Sequence, residues 1–125
     1  MKFDRVLTVN DYRDGPRRGV AELDGVPHIY EAEFDGSGEG YGDTYFLTPI
    51  EPALLALALE ERAERADPPA ASGELSPAER ARREARAREI DVGLRTDPEH
   101  CRYFRARFGE RRSGWWVQWL PLGLG

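Results

Sequence analysis

Apolar and polar positions alternate through most of the first fifty residues, and a period of two marks half-buried strands. Phe3, Arg5, Leu7 and Val9 share one face of a first strand, with Asp4, Val6 and Thr8 on the other. Gly19 to Leu23 reads as a second strand and Val26 to Phe34 as a third. In the third, His28, Tyr30, Ala32 and Phe34 oppose Ile29, Glu31 and Glu33. Asp24-Gly25 stands between these two runs, a dipeptide that favours positive φ at both central positions of a type I′ hairpin. That pins the register, and register decides which side chains meet a core. Asn10 to Pro16 is a turn cluster. Thr44 to Thr48 predicts a short fourth strand, stopped by Pro49.

The pattern changes at Pro52, where a proline can open a helix at no hydrogen-bond cost. The following ALLALALEERAERA is made of strong helix formers. Leu55, Leu57 and Leu59 also fit a period of two, so composition and length decide for helix. Its first two turns are apolar nearly all round, which asks for burial on more than one side: by the sheet, and by a second helix or a partner chain. Asp67 to Gly73 is a Pro/Ala/Gly linker. Ser76-Pro77-Ala78-Glu79 joins a capping box to proline at the first helical position, predicting a helix from Pro77 to near Val92. Ala81, Ala85, Ile90 and Leu94 are its sparse apolar positions, so it is expected to act as a lid or arm.

Alternation returns at Cys101 to Phe108, with Phe104, Ala106 and Phe108 against Tyr103, Arg105 and Arg107. After a turn at Glu110 to Gly114, Trp115, Val117 and Trp119 share a face of the last strand. The expected fold is an α+β domain over residues 1–125. A four-strand sheet (1–50), a helix (51–66), a linker (67–75) and a second helix (76–95) precede a C-terminal hairpin (101–121) that joins the sheet. Such strands can curl into a small SH3-like barrel. The tryptophan hairpin and Leu54–Leu59 are the expected core, so Trp115→Ala or Trp119→Ala should outweigh any change in the second helix.

Composition narrows the class. The charged fraction is 33% and the hydrophobic fraction 40%, a globular balance. The longest apolar run, Ala53 to Leu59, is too short to span a bilayer, so no membrane role is expected. Acids among the first residues and the lack of an apolar h-region argue against a secretory signal. A single cysteine, Cys101, forms no internal disulfide, and the expected compartment is the reduced cytoplasm. Arginine supplies all but one of the 18 basic residues. With heavy Ala, Gly and Pro use, this reads as GC-rich bacterial coding and lowers the weight of any single arginine. The net charge of −5 is unevenly spread: residues 1–66 carry −7, residues 67–99 carry −2 and residues 100–125 carry +4. An acidic front and a basic tail can attract each other within one fold or face different partners.

Candidate chemistry is thin. Asp35, Ser37, Glu39, Gly40 and Asp43 match several places of a calcium loop, but Phe46 stands where a bidentate glutamate is required. The loop has no phosphate-cradle spacing either. Glu31 and Glu33, with Asp43, could hold a metal for an enzyme, but a polar outer face of a half-buried strand explains the glutamates without chemistry. His28, His100 and Cys101 lack zinc spacing, and adjacent His100 and Cys101 point apart on a strand. No catalytic residue, metal or cofactor is therefore expected. The arginines of the second helix, ERARREARAREI, are offset by glutamates and read as intrahelical pairs.

The basic aromatic C-terminus is the candidate binding surface: Tyr103, Arg105, Arg107, Arg111, Arg112 and Trp116. Arginines beside aromatic rings suit single-stranded nucleic acid; the alternative is that the rings are core and the arginines pair with the acidic front. Asp11-Tyr12, Asp14-Gly15-Pro16-Arg17, Gly19-Val20-Ala21, Gly25, Pro27-His28, Tyr30-Glu31 and Leu47-Thr48-Pro49 together resemble a group of small uncharacterised bacterial proteins. The resemblance implies a bacterial cytoplasmic protein with no assigned activity. The expected function is a non-enzymatic module that binds another protein or a second copy of itself, with nucleic-acid binding through the C-terminal hairpin as the alternative.

Overall fold

The computed structural model describes residues 3–34, 41–66, 76–97, 99–112 and 114–121. Most of the glycine-rich loop (35–40) and the linker (67–75) fall outside these residues, as does the Asp43 side chain. Six strands follow the chain: β1 (Asp4–Tyr12), β2 (Pro16–Leu23), β3 (Val26–Phe34), β4 (Tyr41–Pro49), β5 (Arg102–Arg111) and β6 (Gly114–Pro121). Each pairs antiparallel with its neighbour in sequence, and β6 returns to β1 to close a barrel. Closure satisfies strand edges that an open sheet would leave exposed. Helices α1 (Pro52–Ala66) and α2 (Pro77–Gly93) are inserted between β4 and β5. The architecture is thus α+β, a six-stranded antiparallel barrel with two helices.

Local chemistry explains the turns. Asp24 and Gly25 have φ of 52° and 81°, the positive pair that a type I′ hairpin needs. Asp14 and Gly15, at 56° and 121°, turn β1 into β2. Arg17 clamps this turn, donating from Nε to the Arg13 carbonyl at 2.7 Å and from Nη2 to the Asp14 carbonyl at 2.8 Å.

Alternation alone misassigns β1. The β1–β2 register passes from Val6↔Ala21 to Thr8↔Val20, so Leu7 is an extra residue and β1 bulges. A second shift follows between Val9 and Asp11. Val6 and Val9, of opposite parity, consequently both pack in the barrel interior, while Leu7 packs outside under the helices. Side chains satisfy the bulge: Thr8 Oγ1 accepts the Val20 N–H at 3.0 Å, and the Tyr30 hydroxyl donates to the Thr8 carbonyl at 2.9 Å. Tyr30 reaches that carbonyl across Gly19, where a Cβ would lie 2.2 Å from the Thr8 oxygen.

Two cores result. The barrel interior holds Val6, Leu23, Tyr30, Tyr45, Leu47, Phe104, Val117 and Trp119, among others. The second lies between barrel and helices, where Val20 and Ile29 meet Ala58, Ile90 and Leu94. In α1 the deepest residue is Ala58, with Leu54, Leu55 and Leu57 partly buried around it. Leu59 is 37% exposed, so the all-round burial expected of this helix is not met within the described residues.

The second helix departs from the loose lid that its sparse apolar positions suggest. Its last turn is docked, with Ile90 and the capping Leu94 fully buried. Ser76 caps its start by accepting the Glu79 N–H at 3.1 Å. Between these ends α2 is held by charge. Arg86 is only 7% exposed and donates to Glu60 at 2.9 Å and to Glu64, both on α1. Arg18 of β2 pairs with Asp91. Sparse helix hydrophobicity thus misleads because interhelical ion pairs supply part of the docking.

These pairs carry a pH signature. The Arg86 guanidinium holds the Glu64 carboxyl down at about 2, from an ordinary 4.5. Arg82 and Arg83 do the same to Glu79. A folded-state pKa below the unfolded value stabilises the fold above the unfolded pKa, and that contribution disappears as pH falls through the folded one. Melting temperature should therefore fall as pH drops from 4.5 toward 2, and Glu64→Gln should flatten that dependence. Superimposable pH profiles for the two proteins would refute the assignment.

Candidate binding surface

Both helices pack on one side of the barrel, over Leu7, Val20 and Ile29 of β1, β2 and β3. Among the described residues, none of the hydrophobics in this second core comes from the wall formed by β4, β5 and β6. On β5, Phe104, Ala106 and Phe108 point into the barrel, so the alternate residues Tyr103, Arg105 and Arg107 point out and are exposed. Tyr103 is 51% exposed and stands edge-on to Phe46 of β4, ring centroids 5.0 Å apart. Farther along, the Arg111 guanidinium lies 5.9 Å from the Trp116 ring and 5.7 Å from that of Phe3, within cation–π range. Arg112 is exposed at the β5–β6 turn.

All six residues of the proposed surface therefore lie along one hairpin, outside the barrel core. The tryptophans divide. Trp119 is buried in the barrel, Trp115 packs half-buried against the same core, and Trp116 alone of the three belongs to the outward set. The barrel interior is filled with rings at contact spacing, as between Tyr45 and Phe108 (5.3 Å) or Tyr30 and Trp119 (6.2 Å). It is a core rather than a ligand chamber.

The other candidates are dispersed. His28 is buried, its Nδ1 2.7 Å from the Val26 carbonyl. Glu31 is occupied: Thr96 Oγ1 donates to it at 2.9 Å and Arg95 at 3.3 Å. Glu33 is exposed. His100 pairs with Asp97 at 2.8 Å, while burial pushes the Cys101 thiol up, away from the reactive thiolate. Cys101, Glu31, Thr96, Phe46 and Tyr103 line a shallow cleft of about 330 Å³ at the edge of the wall.

Asp97, Glu99 and His100 bring three ligand-type atoms within 4.8 Å of one another, a grouping that sequence reasoning passed over although D-P-E-H displays it. All three are exposed, and Asp97 already accepts the Glu99 N–H at 2.9 Å and the His100 ring nitrogen. His100 holds the Asp97 carboxyl below its usual range. A side-chain-locked turn accounts for the grouping.

Against protein-family models, curated proteins and solved structures, the chain has no match. The residues behind the N-terminal resemblance have structural work instead: Gly19 admits Tyr30, the Pro16 carbonyl accepts the Tyr45 hydroxyl at 2.7 Å, and Arg17 locks the turn. No described helix is long and apolar enough to cross a membrane.

Proposed function

We propose that this chain is a non-enzymatic interaction module whose β4–β5–β6 wall binds an acidic surface of another protein. The observation that carries the reading is the outward, exposed row of Tyr103, Arg105 and Arg107, continued by Arg111, none of which belongs to the core that the helices share with the barrel. Residues 100–125 carry five arginines and one acid, so the wall complements negative charge. Arginine and tyrosine are also the residue types that anchor interfaces. An SH3-like description of the barrel, a bacterial source and the reduced cytoplasm belong to the same reading.

A protein partner fits better than single-stranded nucleic acid. Base stacking needs several open aromatic faces, whereas Trp115 and Trp119 pack with the barrel core and Arg111 lies over Trp116. The net charge of −5 opposes a polyanion as well.

Crosslinking in the source cell would name the partner, and calorimetry with the purified pair would test the wall. Arg105→Glu with Arg107→Glu should weaken binding about tenfold or more; Arg80→Glu with Arg88→Glu on α2 should leave it unchanged. Equal binding by both double variants would remove the wall from consideration. Tighter, steeply salt-dependent binding of a labelled oligonucleotide would favour nucleic acid instead, and concentration-dependent self-association through the wall would make the partner a second copy.

A further inference from the structure

The ladder that closes the barrel ends early on one side. Among the described residues β1 and β6 pair at Asp4↔Val117 and Arg5↔Trp116, and towards the C-terminal end of β1 the pairing stops where that strand makes its first bulge, between Val6 and Thr8. A crevice of about 280 Å³ opens at that point. Arg5, Leu7, Trp115 and Trp116 line it from the barrel, and Arg62 lines it from α1.

We propose that this crevice binds a small organic anion, a carboxylate carried on a flat apolar body. The apolar body is suited by the indoles of Trp115 and Trp116, both of which line the crevice even though Trp115 also packs on the core and Arg111 lies 5.9 Å from the Trp116 ring. They are neighbours on β6, yet Trp115 packs with the barrel core, its ring centroid 6.1 Å from that of Tyr12, while Trp116 belongs to the outward set.

The anion is suited by two guanidinium groups of unequal availability. Arg5 already donates from Nε to Glu22 at 2.7 Å. The Arg62 side chain is exposed and makes no ion pair or hydrogen bond among the described residues. Its planar fork matches a carboxylate through two parallel N–H···O bonds. A cationic ligand would meet two like charges there. The volume lies at the lower end for ligand pockets, roughly 300 Å³, which selects a small molecule. Trp116 is shared with the candidate protein-binding surface, whereas Arg62 and Trp115 are not, so Arg62 variants test this site separately.

Benzoate is a direct probe, followed by the indole N–H resonances of the intact chain. Saturable shifts of Trp115 and Trp116 are expected, with a roughly millimolar dissociation constant for a ligand this small. Trp119, whose Nε1 donates to the Glu22 carbonyl at 3.0 Å inside the barrel, should stay in place. Benzamide, the neutral analogue, should bind at least tenfold more weakly. Arg62→Gln should cause a similar loss without moving the melting temperature; Arg62→Lys, which keeps charge but not the fork, should fall between. Absence of saturable shifts, equal affinity for benzamide, or unchanged benzoate affinity in a folded Arg62→Gln protein would each overturn the proposal.

Discussion

Trp119→Ala should be the most destabilising single truncation in the chain, by about 3–5 kcal/mol. Its indole is the hub of the barrel interior, with the rings of Tyr30, Tyr45, Phe104 and Phe108 at 6.2, 5.9, 6.3 and 6.0 Å. Removing it opens a cavity where four rings meet and leaves the Glu22 carbonyl without its 3.0 Å donor. Set against a typical total of about 5–15 kcal/mol, such a loss can unfold the protein at moderate temperature. Trp115 does not share this weight, since it is only half-buried. Ile90→Ala in α2 should match or exceed Trp115→Ala, contrary to the low importance that composition assigns that helix, because Ile90 is fully buried. Urea midpoints order the three variants. A Trp119→Ala midpoint at or above that of Ile90→Ala would refute the ranking.

Gly19→Ala should cost about 3 kcal/mol, a large effect for one methyl group. The added Cβ would sit 2.2 Å from the Thr8 carbonyl oxygen and 2.9 Å from the Tyr30 hydroxyl, closer than atoms pack. The backbone atom cannot rotate aside, so β1 and β2 must separate at the bulge. That separation also breaks the Tyr30 bond to Thr8, leaving a buried hydroxyl and carbonyl unsatisfied. Tyr30→Phe removes the same bond without the clash and should cost only about 1 kcal/mol. Denaturation midpoints for the pair separate steric from hydrogen-bond contributions; equal losses would show that the clash is relieved.

Much of the fold was legible in the chain because its signals are local. Asp24-Gly25 states its turn through backbone sterics, and the hairpin it predicts is the one present. Ser76-Pro77 announces the start of α2 for equally local reasons: a side-chain acceptor and a pre-set φ. The inward set of β3 and the Trp115, Val117, Trp119 face of β6 follow from the pleat, where no bulge intervenes. In β1 the same rule fails after Leu7, since a bulge leaves no reliable mark in composition.

The candidate surface was legible only as a list. Tyr103, Arg105 and Arg107 alternate with Phe104, Ala106 and Phe108 in the sequence, which places them on the face opposite the apolar one. Nothing in that spacing says which face a helix will cover. The crevice at Arg62 and Trp115 was invisible for the same reason, as it joins residues from α1, β1 and β6 that share no local pattern.

Residue-by-residue preferences therefore settled the turns, the helix starts and the period-two faces, because each depends on a few adjacent φ, ψ angles and side chains. Barrel closure, the docking of α2 through Arg86 and the siting of the arginine wall were settled by long-range packing. They require groups distant in the chain, such as Glu64 with Arg86 or Arg5 with Trp116, to meet, and the strength of such a meeting depends on burial that no short window of sequence contains.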